Sequence, residues 1–235
     1  MSNLTRTANI ALQRLTWTRR VESWDHADSP GLERVVEAVL AQVPSGAGVG
    51  VDIGAGTGRL TIPLAARCKE VVAVDVSQAM LDRLSERARS AGVSNLATRA
   101  GAAEDQDFAP GSVDVVVSNY ALHHLRDPDK EKLVKAVATW LAPGGKLIVG
   151  DMMFGRGTSP RDRQIIGSKV AAMARKGPAG WWRILKNAGR FLFRVQERPI
   201  SPEAWVSLFE AAGLVEVAIE PVVSEAAVVH GARRS

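Results

Sequence analysis

Residues 51–58 read Val-Asp-Ile-Gly-Ala-Gly-Thr-Gly, and this stretch decides the fold. It joins a short apolar run, predicted to be a buried strand over residues 48–53, to a predicted helix over residues 57–67. The three glycines let the backbone of the turn between them approach a ligand closely. The helix N-terminus would add unpaired N–H groups and the positive end of a dipole. The turn is therefore a candidate site for a carboxylate or a phosphate.

A second apolar run, Val71 to Val74, predicts the neighbouring strand, which ends at Asp75. An acidic side chain at this position can accept hydrogen bonds from both hydroxyls of a ribose. Both features occur in proteins that bind NAD, FAD or S-adenosylmethionine. Arg59 stands where the third glycine of the dinucleotide pattern G-x-G-x-x-G would be, which disfavours the alternative of a nicotinamide-dependent reductase.

Strand and helix patterns alternate along the chain. Apolar, β-branched strands that alternate with helices favour a parallel sheet covered on both faces, and right-handed crossovers make such a sheet doubly wound. After the last predicted helix, two strands joined by a short turn indicate an antiparallel edge. The predicted fold class is thus α/β with about seven strands: 48–53, 71–74, 96–100, 113–118, 146–150, 214–220 and 225–230. The predicted helices are 31–42, 57–67, 77–91, 129–141 and 201–213.

The length of 235 residues is enough for one large domain. We expect residues 1–30 to form an N-terminal helical arm and residues 45–150 the cofactor-binding core. Residues 152–200 are too long for a plain connection and predict a helical insertion, or lid, after the fifth strand. Residues 201–235 carry the C-terminal helix and the edge strands.

Composition bounds the class of protein. Hydrophobic residues make up 46% and charged residues 23%, an ordinary globular mixture. Cys68 is the only cysteine, so no internal disulfide can form, which suits a reducing compartment. No run approaches the roughly 20 apolar residues of a membrane-spanning helix, and Met1 to Ile10 lacks the apolar centre of a secretory signal. We expect a soluble, cytoplasmic protein.

Five motifs in this order resemble the class I S-adenosylmethionine-dependent methyltransferases, nearest to the branch with the ubiquinone and menaquinone C-methyltransferases and many small-molecule methyltransferases. The resemblance covers roughly residues 17–149. It implies a Rossmann-like fold, S-adenosyl-L-methionine as cofactor and methyl transfer as activity, and it leaves the acceptor open. The motifs are VDIGAGTG (51–58), VVAVDVSQAML (71–81), GAAEDQDF (101–108), VDVVVSNYALHHL (113–125) and LAPGGKLIV (141–149).

The same resemblance implies the cofactor-binding residues. The glycine turn lines the methionine part of the cofactor, the acid after the second strand holds the ribose, and the loop at 102–104 meets the adenine. Many relatives carry Asp or Asn where this chain has Ala102, so Asp105 or a backbone group is left to contact the adenine amino group. The implied set is Asp52, Gly54, Ala55, Gly56, Thr57, Gly58, Asp75, Val76, Met80, Ala102, Ala103, Glu104 and Asn119.

Methyl transfer needs a general base only when the acceptor enters protonated. His123 and His124 are the candidates, although in similar chains the pair is often structural. Tyr120 could orient an acceptor or simply pack. In the N-terminal arm, Trp17, Trp24 and Asp25 are predicted to line the side of the site where the acceptor binds. The alternative is that the arm only packs against the domain and has no role in binding. No metal site is predicted.

Residues 152–198 hold eleven Lys or Arg against two acids. Within them, Trp181 to Val195 has an apolar face with Trp181 and an opposite face of Arg and Lys, which predicts a cationic amphipathic helix. Three interpretations stay open: a lid over the active site, a membrane-surface helix that brings the enzyme to a lipid- or quinone-like acceptor, and a nucleic-acid contact. The hypothesis is a methyltransferase for a small apolar or amphipathic acceptor. The alternatives are a cofactor-binding domain without methylation activity and a methyltransferase acting on nucleic acid.

Overall fold

The structure, a computed structural model, describes residues 3–25, 30–155, 160–175, 177 and 198–235. Two single turns of 3-10 helix follow the third and fourth strands, at Ala103–Asp105 and Leu122–His124. The helices and strands come in the order α1 (Asn3–Thr18), α2 (Val21–Asp25), α3 (Pro30–Gln42), β1 (Ala47–Ile53), α4 (Thr61–Ala65), β2 (Cys68–Asp75), α5 (Gln78–Ser90), β3 (Leu96–Ala100), β4 (Val113–Asn119), α6 (Asp127–Trp140), β5 (Leu141–Met152), α7 (Pro160–Ala174), α8 (Pro202–Ala211), β6 (Leu214–Val223) and β7 (Ala226–Arg233).

The strands pair in one seven-stranded sheet of order β3-β2-β1-β4-β5-β7-β6. Strands β1 to β5 are parallel, whereas β7 runs antiparallel between β5 and β6. This confirms the predicted α/β class, a mostly parallel sheet with an antiparallel C-terminal edge. The strand order reverses between β1 and β4, and open α/β sheets bind ligands at such a reversal, beyond the carboxyl ends of the strands.

Helices cover both faces of the sheet, so successive side chains of a central strand enter different cores. In β4, Val116 packs on one face with Trp140 of α6 and Phe209 of α8. Val115 and Val117 pack on the opposite face, which α3 and α4 cover. Burying a side chain the size of Phe209 contributes about 1.5–3 kcal/mol. The sheet is thereby a rigid base for the loops that follow its strands.

The helix predicted over residues 57–67 is wrong in extent, because α4 covers only Thr61–Ala65. Gly58 has φ of +88°, a left-handed conformation that an α-helix cannot include, and its amide closes a turn on the carbonyl of Ala55 at 2.9 Å. Pro63 lacks an N–H and so cannot donate a helical bond. The glycine turn is therefore not followed directly by a helix N-terminus.

Other elements extend further than predicted. Strand β5 begins at Leu141, where the sequence indicated Lys146, and between these two pairings its register with β4 shifts around the Pro143-Gly144-Gly145 turn. The edge strands β6 and β7 reach Val223 and Arg233. None of the described helices is long and apolar enough to cross a membrane.

Candidate active site

A cleft lies beyond the carboxyl ends of β1, β2, β3 and β4, with α1 as its opposite wall. It encloses about 950 Å³ of space, part of it open to solvent. Of the residues singled out from the sequence, those on its wall are Trp17, Asp52, Gly54, Ala55, Gly56, Asp75, Val76, Met80, Ala102, Ala103, Glu104, Asn119, Tyr120 and His124.

The remaining predicted residues lie elsewhere. Thr57 is buried and accepts hydrogen bonds from the Arg87 guanidinium on its carbonyl and its hydroxyl, at 3.0 and 3.2 Å. Gly58 faces α5, because a Cβ there would overlap Leu84 Cδ1. The Trp24 side chain and the predicted helix 181–195 with Trp181 lie outside the described residues.

The glycine turn has no room for a side chain at Gly54. Gly54 has φ of +76°, and a Cβ on it would overlap Ala121 Cβ across the turn. The amides of Gly54 and Ala55 both donate to the carbonyl of Val74, at 2.8 and 3.0 Å. The amide of Gly56 donates to a carboxylate oxygen of Asp75 at 2.9 Å. These three N–H groups are engaged inside the protein.

Asp75 ends β2 at the cleft wall and is 9% exposed. Its Oδ2 accepts the Gly56 amide and its Oδ1 accepts the Ser77 amide at 2.8 Å. Burial raises the pKa of Asp75 above its ordinary value, and these backbone hydrogen bonds oppose the rise. Each carboxylate oxygen still has a free lone-pair site, so both can accept a further bond.

Asp52, the second-last residue of β1, is almost fully buried at 1% exposure. The Thr61 hydroxyl donates to its Oδ2 at 2.6 Å. Burial raises the pKa of Asp52 from 3.8 to about 7; the Thr61 hydrogen bond opposes this rise, and the negative charge of Asp75 adds to it. Asp52 therefore changes charge near neutral pH.

The loop after β3 forms the far end of the cleft. Ala102, Ala103 and Glu104 line it, while Asp105 pairs with Arg6 and does not. Glu104 is buried, and among the described residues no donor lies within hydrogen-bond distance of its Oε2. Burial raises the pKa of Glu104, and the hydrogen bond with Arg6 lowers that of Asp105. Of these two acids, the structure brings Glu104 to the cleft.

The two histidines occupy different surroundings. His123 is buried, its Nδ1 lies 2.6 Å from Asp151 Oδ1, and its amide donates to Asp151 Oδ2 at 2.9 Å. His124 lies on the cleft wall, edge-on to Trp17 with ring centroids 5.2 Å apart. Tyr120 also lines the cleft, and burial raises the pKa of its phenol well above its ordinary value, as do the charges of Glu225 and Asp151.

Polar contacts hold helix α1 across the cleft, in addition to the edge-on contact of Trp17 with His124. Arg6 pairs with Asp105, the Gln13 amide donates to the carbonyl of His124 at 3.0 Å, and the hydroxyl of Thr18 lies 3.0 Å from that of Ser77. Ile10, Gln13 and Trp17 face the cleft. Sequence reasoning missed Ile10 and Gln13, although their i, i+3, i+7 spacing with Trp17 places the three on one helix face. It also missed Arg59 and Leu60 as wall residues.

A family model described as a methyltransferase domain matches residues 51–145. Over 160 residues, 66% of the chain, the sequence is 31% identical to an uncharacterised Escherichia coli protein, YafE, and covers 76% of it. The chain belongs to the class I S-adenosylmethionine-dependent methyltransferases. This methyltransferase is also 32% identical over 147 residues to an uncharacterised methyltransferase of Geobacillus kaustophilus, in a match that spans 59% of the chain and 63% of that relative.

Solved structures agree on the fold. The methyltransferase superposes on the Burkholderia thailandensis 1,6-didemethyltoxoflavin-N1-methyltransferase, which was solved with bound 1,6-didemethyltoxoflavin and S-adenosylhomocysteine. The TM-score is 0.70 at 16% identity, over 100% of this chain and 92% of the other. The predicted family and cofactor are confirmed: the methyltransferase uses S-adenosylmethionine. The roles of individual residues stay predictions.

Proposed function

We propose that the methyltransferase transfers the methyl group of S-adenosylmethionine to a small apolar or amphipathic acceptor bound against α1. One observation carries this proposal. Asp52, the turn at Gly54–Gly56 and Asp75 converge on a single cleft at the reversal of strand order, and α1 closes the opposite side. This edge is where open α/β sheets bind their ligands.

The residues on the wall fit the cofactor. Asp75 would hold the ribose, since both of its oxygens can accept one more hydrogen bond. Val76 and Met80 would pack on the adenine, whose edge would meet the loop at Ala102 and Ala103. A donor on the ligand would also satisfy the buried Oε2 of Glu104.

Bound S-adenosylmethionine supplies a methyl group already activated by its sulfonium. The protein's main task is then to hold the acceptor atom in line with that methyl group, which contributes up to about 7–11 kcal/mol. Ile10, Gln13 and Trp17 of α1, together with Tyr120 and Leu125, form an apolar and aromatic compartment with few polar groups. Such a lining favours an acceptor with a flat or aliphatic body and few polar atoms.

His124 is the better placed of the two candidate bases. It lies on the cleft wall beside Trp17, whereas the Nδ1 of His123 is committed to Asp151 in the interior. We propose that His124 accepts a proton from acceptors that enter protonated, and that His123 fixes the loop after β4 to β5. The lipid- or quinone-like nature of the acceptor, a cytoplasmic location and a membrane contact through residues 181–195 belong to the same proposal.

The test has two stages. Calorimetric titration with S-adenosylhomocysteine is expected to show binding to the folded protein. Incubation with S-adenosylmethionine carrying a radiolabelled methyl group, and with a panel of phenols, hydroxyquinones and amphipathic amines, is then expected to label one acceptor class. Absence of any heat with S-adenosylhomocysteine contradicts the proposal. Binding without transfer to any acceptor would favour a cofactor-binding domain without methylation activity.

A further inference from the structure

The proposed function assigns no partner to the carboxylate of the cofactor. The methionine end of S-adenosylmethionine carries a carboxylate, and a carboxylate taken out of water needs a positive group or several hydrogen-bond donors. In many ligand sites a helix N-terminus or open backbone amides after a glycine turn serve this need. Which group of this protein pairs with the carboxylate is inferred below, and the inference rests on the proposed function.

The amides of the glycine turn that line the cleft, those of Gly54, Ala55 and Gly56, cannot supply those donors. The amides of Gly54, Ala55 and Gly56 donate to Val74 and Asp75, and that of Gly58 donates to Ala55. Helix α4 begins at Thr61 and has five residues, too short for a useful dipole. The acids Asp52, Asp75 and Glu104, which share the wall of the cleft, would repel a carboxylate when ionised.

Arg59 supplies a positive charge at this place. It is the only Arg or Lys on the part of the cleft wall that the structure describes, and it comes directly after the turn. Its side chain is 20% exposed, and its Nη1 lies 3.9 Å from Glu33 Oε1 of α3, a carboxylate 61% exposed to water. A guanidinium has five donors in a rigid fork, so it can keep its protein partners and still present a pair of N–H groups to a ligand carboxylate.

We propose that Arg59 is the counter-ion of the carboxylate at the methionine end of the bound cofactor. Arg59 then distinguishes S-adenosylmethionine and S-adenosylhomocysteine from adenosine compounds that lack the carboxylate. The role is one of cofactor binding and selection, and it accounts for an arginine where the dinucleotide pattern has its third glycine.

A pair of ligands tests this contact directly. S-adenosylhomocysteine is compared with S-adenosyl-3-thiopropylamine, which keeps the adenosine, thioether and amine and lacks only the carboxylate. Calorimetry is expected to show that the wild type prefers S-adenosylhomocysteine by about 10- to 100-fold, the range for a charge-assisted pair. In Arg59→Gln and in the apolar Arg59→Met, this preference is expected to fall to about threefold or less, through weaker binding of S-adenosylhomocysteine alone.

The matched control is Arg83→Gln, which removes a similar charge from the exposed face of α5, where Arg83 pairs with Glu86 at 3.1 Å. It is expected to leave both affinities unchanged. Circular dichroism checks the folding of each variant, and either neutral variant of Arg59 suffices for the comparison. Equal weakening of both ligands, or an unchanged affinity for S-adenosylhomocysteine, overturns the proposal. If the wild type binds neither ligand, it is the proposed function that fails.

Discussion

Asp52 and Asp75 end neighbouring strands, yet their carboxylates stand in different surroundings. Asp75 accepts two backbone amides, of Gly56 and Ser77, whose positions the sheet and α5 fix. Asp52 accepts the hydroxyl of Thr61. Backbone donors compensate a buried charge more than one hydroxyl does. At the scale of the residue, Asp75 is suited to grip a ligand, and Asp52 is suited to respond to pH.

Asp52 makes stability depend on pH in a defined direction. Its pKa in the folded protein is about 7 against an ordinary value of 3.8, so folding takes up a proton between these values. The folded state therefore loses stability as pH rises from about 4 to about 7, by at most about 1.4 kcal/mol per pH unit. Asp52→Asn removes the ionisable group and is expected to gain stability over the wild type across this window.

Urea unfolding of Asp52→Asn and wild type at pH 5 and pH 8 checks this expectation. The free-energy difference between the two proteins should be larger at pH 8. Asp107→Asn, a substitution in an exposed loop, serves as the control and should show the same difference at both values. A difference for Asp52→Asn that does not change with pH would contradict the burial argument.

Replacement of His124 and replacement of His123 are expected to affect different properties, the first kcat and the second the free energy of unfolding. His124→Ala is expected to lower kcat by about a hundred- to ten-thousandfold for a hydroxyl acceptor, because it removes the proposed base. His123→Ala is expected to leave kcat per folded molecule nearly intact. It leaves the buried Asp151 without its imidazole partner and so lowers the free energy of unfolding by about 1–3 kcal/mol. Steady-state kinetics beside urea unfolding separate these outcomes, and a reversed pattern would assign the base to His123.

Some site residues could be predicted from the sequence, and others could not. The glycines and Asp75 belong to contiguous motifs whose positions follow from the strand that carries them. The spacing of Ile10 and Gln13 with Trp17 places them on one helix face, but that this face meets the cleft depends on how α1 packs against the sheet, which the sequence pattern does not show. The sequence left Asp105 or a backbone group to meet the adenine. The structure pairs Asp105 with Arg6, while the predicted Glu104 lies on the wall, because neighbouring residues of a 3-10 turn point in different directions.

At the scale of the element, α1 is attached to its side of the cleft by side-chain contacts, whereas the opposite wall follows strands that are paired in the sheet. Its contacts include the pairing of Arg6 with Asp105, the bond from Gln13 to His124, the contact of Thr18 with Ser77 and the edge-on packing of Trp17 on His124. Leu12 and Leu15 on its outer face are 43% and 49% exposed, so little apolar area fixes it from outside. Elements with few buried contacts open at lower free energy than the core.

Removal of the Arg6 ion pair should change amide hydrogen exchange in α1 alone. Arg6→Gln is expected to increase amide hydrogen exchange in α1 about two- to fivefold, since a partly exposed ion pair contributes about 0.2–1 kcal/mol. Exchange in β1 and β4 should not change. The control Lys135→Gln breaks an exposed pair with Glu131 within α6 and should leave α1 unaffected. Equal exchange of α1 in Arg6→Gln and wild type would show that Arg6 does not hold it.

A periodic apolar pattern alone is insufficient to predict where a helix begins and ends. The helix from Gln78 to Ser90 agrees with its prediction because Ser77 caps it and Gly92, at φ of +72°, follows it. The segment after the glycine turn has a similar apolar pattern, but its helix is confined to Thr61–Ala65. There the left-handed Gly58 and the missing donor of Pro63 outweigh the pattern.

At the scale of the whole molecule, a ligand that binds only the folded state raises its stability. S-adenosylhomocysteine at about 100 times its dissociation constant adds about 2.7 kcal/mol. For a chain of this length that corresponds to a rise of about 5–10 °C in Tm. NAD at the same concentration is expected to give no rise, because Arg59 replaces the glycine of the dinucleotide pattern.

Differential scanning fluorimetry measures both shifts. Asp75→Asn, which weakens the proposed ribose contact by about 1–3 kcal/mol, should give a smaller shift at the same ligand concentration. Asp82→Asn, on the exposed side of α5 where Asp82 accepts from Gln78, is the matched control. A shift with NAD equal to that with S-adenosylhomocysteine would contradict the assignment of the cleft.

The fold as a whole could be predicted because three sequence features indicate the same α/β architecture. These are the alternation of strand and helix patterns, the glycine turn after β1 and the acidic residue at the end of β2. The seven strands and the antiparallel edge follow from that agreement. The order of β7 and β6 at the edge could not be predicted in this way. A hairpin pattern shows that two strands pair, but it does not show which of them pairs with β5. That choice depends on long-range packing, such as the contact of Gly231 with Phe209 of α8.

The place of β7 has a consequence for synthesis. β7 separates β5 from β6 in space although it follows both in the chain. While residues 226–233 are still inside the ribosomal tunnel, the nascent chain shows the N–H and C=O groups along one side of β5 to its surroundings. An open strand edge is a template for pairing with other chains. The side of β5 that faces β7 is therefore protected from pairing with other chains only once residues 226–233 have joined the sheet.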